Sequence, residues 1–167
     1  MRVERTFAFL DLCGFTAYID ASGDDAAIAV LEHLRATLRA AAERRGVRIA
    51  KWLGDGAMIS GVDAGPTLEC AEAVRDTVTV SGPLALRGGI ASGEAVVFEG
   101  DDYIGAAVNM AARLCDEARP GELLVAAPVL ERLPERRGTE VARLRVAGVS
   151  RVVSVYRLPS RSFPEAA

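Results

Sequence analysis

Apolar residues fill positions 5 to 12 almost without a break and Gly14 follows, a pattern that predicts a buried strand ended by a turn. Ala27, Leu31, Leu34, Leu38 and Ala41 then recur at helical spacing. A helix is expected through about Arg45, with Ser22, Asp24 and Asp25 as candidate N-caps and Gly46 closing it. Runs at 47–52 and 57–62 read as strands joined through Leu53-Gly-Asp-Gly56, a hairpin whose tip carries Asp55. Residues 64–79 predict a second helix. Residues 84–90 and 94–98 read as a strand pair turning at Ala91-Ser-Gly93, followed by a helix over 104–117 that stops near Pro120-Gly121. A strand, a short helix and two strands complete the chain. This order predicts an α+β fold: a ferredoxin-like, mainly antiparallel sheet with helices packed on one face, in a single domain over 1–158 with a tail at 159–167.

At 167 residues, the chain is long enough to bury one core without disulfides. The formal net charge of −3 offers no general attraction for nucleic acid, and few aromatics argue against a nucleic-acid-binding sheet. Cys13, Cys70 and Cys115 are odd in number and widely spaced, which supports neither a disulfide framework nor a cysteine-rich zinc site; a reducing cytosol is the expected setting. Charge alternates with apolar residues over 1–9, unlike a signal peptide, and no run approaches the ~20 apolar residues of a membrane helix, so no membrane partner is expected. The one histidine, His33, falls off the Leu31/Leu34 stripe and is expected on a solvated face.

The candidate chemistry lies in two aspartates. Asp11, in Phe9-Leu-Asp-Leu-Cys-Gly-Phe-Thr16, and Asp55, in Lys51-Trp-Leu-Gly-Asp-Gly56, each end a hydrophobic run beside glycines. Alone, Asp55 reads first as a plain hairpin turn and Asp11 as readily as a turn former; together they favour a hard-oxygen site for two Mg²⁺ or Mn²⁺ ions, which needs no histidine base. Gly14, Phe15 and Thr16 would bring backbone groups to the ions and phosphates, with Gly14 permitting close approach. Lys51 is a cation within a strand. Asn109 and Arg113 are four residues apart in an alanine-rich helix and so share one of its sides. A fixed guanidinium there suits the charge of a phosphoryl transition state. Asp102 precedes that helix and reads either as its cap or as an acceptor for an exocyclic amine.

Together these segments resemble the class III nucleotidyl cyclases, the adenylate and guanylate cyclase catalytic domain. The resemblance runs from about Thr6 to Leu158 and includes Arg87-Gly-Gly-Ile-Ala-Ser-Gly-Glu94 and Val108-Asn-Met-Ala-Ala-Arg-Leu114, in the family's order. It implies that Asp11, Asp55 and the backbone at Leu12 hold two Mg²⁺ or Mn²⁺ ions. By the same resemblance Asn109 orients the ribose, Arg113 neutralises the α-phosphate, and Lys51 and Asp102 read the base, adenine more than guanine. The implied activity is adenylate cyclase, making 3′,5′-cyclic AMP and pyrophosphate from ATP. In this family the metal aspartates come from one protomer and the other groups from its partner, so a symmetric head-to-tail homodimer is implied.

One departure stands out. The family usually carries a triphosphate-binding lysine near the last strand, where this chain has Leu144-Arg-Val-Ala-Gly-Val149, with Ala147 at the lysine's place. Arg145 and Arg151 are the candidate substitutes. Two alternatives stay open: a nucleotide-binding or dimerisation module without turnover, and a cyclase that prefers GTP.

Overall fold

The computed structural model describes residues 1–100, 102–145, 152–158 and 160. The chain runs β1 (Arg2–Leu12), α1 (Phe15–Ser22), α2 (Asp24–Arg45), β2 (Arg48–Leu53), β3 (Gly56–Gly61), α3 (Ala64–Ser81), β4 (Leu86–Phe98), β5 (Asp102–Ile104), α4 (Ala106–Glu117), β6 (Leu123–Ala126), α5 (Ala127–Leu130), β7 (Thr139–Arg145) and β8 (Val152–Arg157). Among the described residues these strands form one eight-stranded sheet in the order β2-β3-β1-β4-β6-β8-β7, with β5 added to the end of β4. Every pairing is antiparallel except β4 with β6. The α+β sheet expected from the sequence is therefore what the chain forms.

The helices, however, cover both faces. Alternation along β1 sends Ala8, Leu10 and Leu12 to one side, where they meet Leu34 and Leu38 of α2 and Leu68, Ala71 and Val74 of α3. Each fully buried leucine or valine there contributes about 1.5–3 kcal/mol. Phe7 points the other way, into a second cluster with Met58, Ala91 and the buried side of α4 (Ala107, Val108, Met110, Ala111, Leu114). The expectation of helices on a single face fails because β1, β3 and β4 are apolar on both sides.

Two local expectations also change. The strand pair expected at 84–98 is one continuous strand, because β1 offers a partner along its length, from Leu12 opposite Leu86 to Arg2 opposite Val96. Ser92, read as turn residue, instead shares a buried hydrogen bond of 2.7 Å with Thr6. Gly89 serves close approach: a Cβ there would fall into the backbone of α4 at Ala111 and Cys115. A short helix, α1, precedes α2, and the cap of α2 is Gly23 rather than Ser22, Asp24 or Asp25. Asp24 and Asp25 lie in its first turn, where the helix dipole favours them. His33, half-exposed at the seam of α2 and α3, places its Nε2 2.8 Å from Ser81 Oγ. All three cysteines are free. Among the described residues no helix is long and apolar enough to cross a membrane. Ala147, Arg151 and, apart from Ser160, the tail lie outside the described residues.

Candidate active site

The centre of the sheet delivers Asp11. It stands next to last in β1, opposite Gly56 on β3 and Arg87 on β4. Asp55 lies in the turn between β2 and β3, and the Leu12 amide donates to its carbonyl oxygen at 3.1 Å, so the two aspartates are brought side by side across the strand ends. Gly14 follows in the left-handed region, with φ 74°, and turns the chain into α1, whose first residues are Phe15 and Thr16. Phe15 packs against the first core cluster while Thr16 is exposed.

Arg87 completes this group. Its Nη2 and Nε lie 3.0 and 3.3 Å from Asp11 Oδ2, and its Nη1 donates to the Asp116 carbonyl at 2.9 Å, at the C-terminal end of α4. Burial pushes the Asp11 carboxyl above its ordinary value; Arg87 pulls it down, and the neighbouring charge of Asp55 adds to the rise. A half-buried carboxylate facing a second carboxylate is short of positive charge, and that shortage suits a divalent cation. The donor set also fits one: two carboxylates and backbone oxygens are the hard ligands that Mg²⁺ and Mn²⁺ take. Among the described residues no three His, Cys, Asp or Glu side chains gather into a metal cage.

A second group forms elsewhere. Lys51 Nζ lies 3.0 Å from Asp102 Oδ2, and Asp102 Oδ1 accepts from the Tyr103 amide at 3.1 Å. Lys51, then the Tyr103 amide, hold the Asp102 carboxyl below its ordinary value. Tyr103 packs edge-on against Phe7, with ring centroids 5.2 Å apart, which seats β5 over the second core cluster. Asp102 does not cap α4: the cap is Gly105.

Asn109 and Arg113 make a third group on the exposed side of α4, and neither forms a side-chain hydrogen bond or ion pair among the described residues. Alanines on the buried side let this helix lie close to the sheet and leave both polar side chains outward. Arg145 is exposed at the end of β7, opposite Val152 of β8. None of Lys51, Asp102, Asn109, Arg113 or Arg145 hydrogen-bonds to either aspartate. The residue that sequence reasoning passed over is Arg87, although a cation at the head of an apolar strand is the same signal that singled out Lys51.

No family model matches the chain. Among curated proteins it is 34% identical over 165 residues to a pH-sensitive adenylate cyclase of Mycobacterium tuberculosis, covering 93% of this chain and 40% of that protein. The chain thus spans about two fifths of the length of the curated relatives it matches. Among solved structures, the adenylyl cyclase CyaB from P. aeruginosa superposes with a TM-score of 0.82 at 26% identity, covering 98% of each chain. The guanylyl cyclase Cya2 superposes at 0.75 and 22% identity over 96% of this chain and 93% of that one, a likeness of fold alone. Adenylyl and guanylyl enzymes share this architecture, so the fold does not choose the base. By its fold and the order of its motifs, this chain belongs with the class III adenylyl and guanylyl cyclase catalytic domains.

Proposed function

We propose that the chain is an adenylate cyclase that converts ATP to 3′,5′-cyclic AMP and pyrophosphate at the interface of a symmetric head-to-tail homodimer. The observation that carries this reading is the pairing of Asp11 with Asp55 beside Arg87, with Asn109 and Arg113 exposed on α4 and hydrogen-bonded to neither aspartate. Asp11, Asp55 and the backbone at Leu12 would hold two Mg²⁺ or Mn²⁺ ions, which supply Lewis acidity toward the ribose 3′-hydroxyl and the triphosphate. Arg87, fixed between Asp11 and the end of α4, offers its guanidinium to phosphate oxygens. From a second copy, Asn109 orients the ribose and Arg113 meets the charge that grows on the α-phosphate as the 3′-oxygen bonds to phosphorus and pyrophosphate leaves. Lys51 donates to a ring nitrogen of adenine and Asp102 accepts from its amine.

Purified protein incubated with Mn²⁺ and each nucleoside triphosphate tests the reading. Cyclic AMP from ATP is expected; no cyclic product with any metal would remove it. Ala147 favours a second reading, a module that binds nucleotide without turnover, for which the same assay gives affinity and no product.

A further inference from the structure

Trp52, the only tryptophan in the chain, lies one residue after Lys51 and three before Asp55. It belongs to β2, an edge strand that pairs only with β3 among the described residues. Little of β2 is buried, so the sheet alone holds it weakly. What ties it down on its other side is α2. Arg35 and Arg39, one helical turn apart, place their guanidinium carbons 5.0 and 5.3 Å from the centre of the Trp52 ring. Arg35 Nε is buried with no hydrogen-bond partner, and the ring face lies beside its guanidinium. A cation held over a ring away from water is attracted more strongly than one at an exposed site.

This contact bears on the site through alternation along the strand. Trp52 packs toward α2 with the first core cluster, while Lys51 meets Asp102 beside the second. The other aspartate leans on the same helix, because Phe15 and Tyr18 of α1, which begins just after Asp11, pack against that first cluster and α1 contacts α2. Both aspartate-bearing segments thus abut α2, one through α1 and one through Trp52.

We infer that the Arg35 and Arg39 contact with Trp52 sets where Lys51 and Asp55 stand relative to Asp11, which makes Trp52 and Arg35 positioning residues for the metal pair. The inference rests on the reading of Asp11 and Asp55 as metal ligands. Loss of an outer group that orients a ligand typically weakens metal binding by 10–100-fold, and the effect here falls on metal affinity before turnover.

The test is Mn²⁺ binding to the full chain in the presence of a non-hydrolysable ATP analogue, followed by the electron paramagnetic resonance signal of free Mn²⁺. Trp52→Leu and Arg35→Met should weaken binding by about tenfold. Trp52→Phe keeps a ring under the guanidinium and should stay within about twofold of wild type. In a cyclase assay the same variants should raise the Mn²⁺ half-saturation more than they lower kcat. Equal losses in Trp52→Leu and Trp52→Phe would reduce the contact to ordinary packing and overturn the inference, as would no shift in any variant. Should Trp52→Leu fail to fold, Arg39→Met at an exposed position makes the same comparison, with a loss of about threefold expected and no change in binding again overturning it. Wild-type protein that holds no Mn²⁺ removes the metal reading itself, and the inference with it.

Discussion

Lys51 and Asp102, 51 residues apart in sequence, meet at 3.0 Å and join the edge strand β2 to the short strand β5. Both side chains stay nearly half exposed, so water screens the pair and it adds little to stability. Under the proposed function, the pair presents a donor and an acceptor to the incoming base. The double variant Lys51→Glu, Asp102→Asn should shift preference from ATP toward GTP while leaving the melting temperature almost unchanged. Initial rates on the two nucleotides at equal concentration measure this; an unaltered ATP preference would show that these residues do not read the base.

The two aspartates should separate by their effect on folding. Asp55→Ala should abolish turnover and spare stability. Asp11→Ala should abolish turnover too, but it also strips the partly buried Arg87 of its carboxylate, and a charged hydrogen bond of this kind is worth about 1.5–3 kcal/mol. Urea midpoints compare them. Normal activity in Asp55→Ala would show the metal assignment to be wrong.

The proposed sharing of one site between two copies has a direct test. Asp55→Ala and Arg113→Ala should each be inactive alone. Mixed one to one, with free exchange of subunits, half the pairs carry one intact site, so activity should return to about a quarter of wild type. Rates should also rise faster than linearly as dilute protein is concentrated. Two dead variants that stay dead on mixing, or a rate strictly proportional to concentration down to the lowest measurable protein, would argue against a shared site.

The thiols predict a dependence on alkaline pH. Burial pushes Cys70 up to about 11 and Cys115 up to about 12, from an ordinary value of 9.0. These raised values belong to the folded state, so their contribution to stability is full below about pH 9 and is lost as the pH climbs through 11 toward 12. At pH 8 a chromogenic disulfide reagent should leave Cys70 and Cys115 unreacted in the native protein and titrate all three thiols after denaturation. Fast labelling of three thiols in the native state would contradict the burial.

What the sequence disclosed and what it hid follow from the physics of each segment. Asp11 and Asp55 stood out because a carboxylate at the end of an apolar run has no packing role there. The long helix α2 was plain from its stripe, whereas α1 is eight residues long with none fully buried, so it had no stripe to see. The 84–98 segment misled because Ser92 and Gly93 look like a turn, and only the length of β1 decides that the strand runs on. Arg87 was quoted for its motif and not for its charge. Its partner Asp11 lies 76 residues away, a distance only the sheet closes.

The two halves of the site differ in where they are rooted. Asp11 and Arg87 stand on the central strands β1 and β4, while Lys51 stands on an outermost strand and Asp102 on an appended one. Substitutions at Lys51 or Asp102 therefore fall at the rim of the sheet, where the interior scarcely registers them, while any change at Asp11 or Arg87 is felt at its centre.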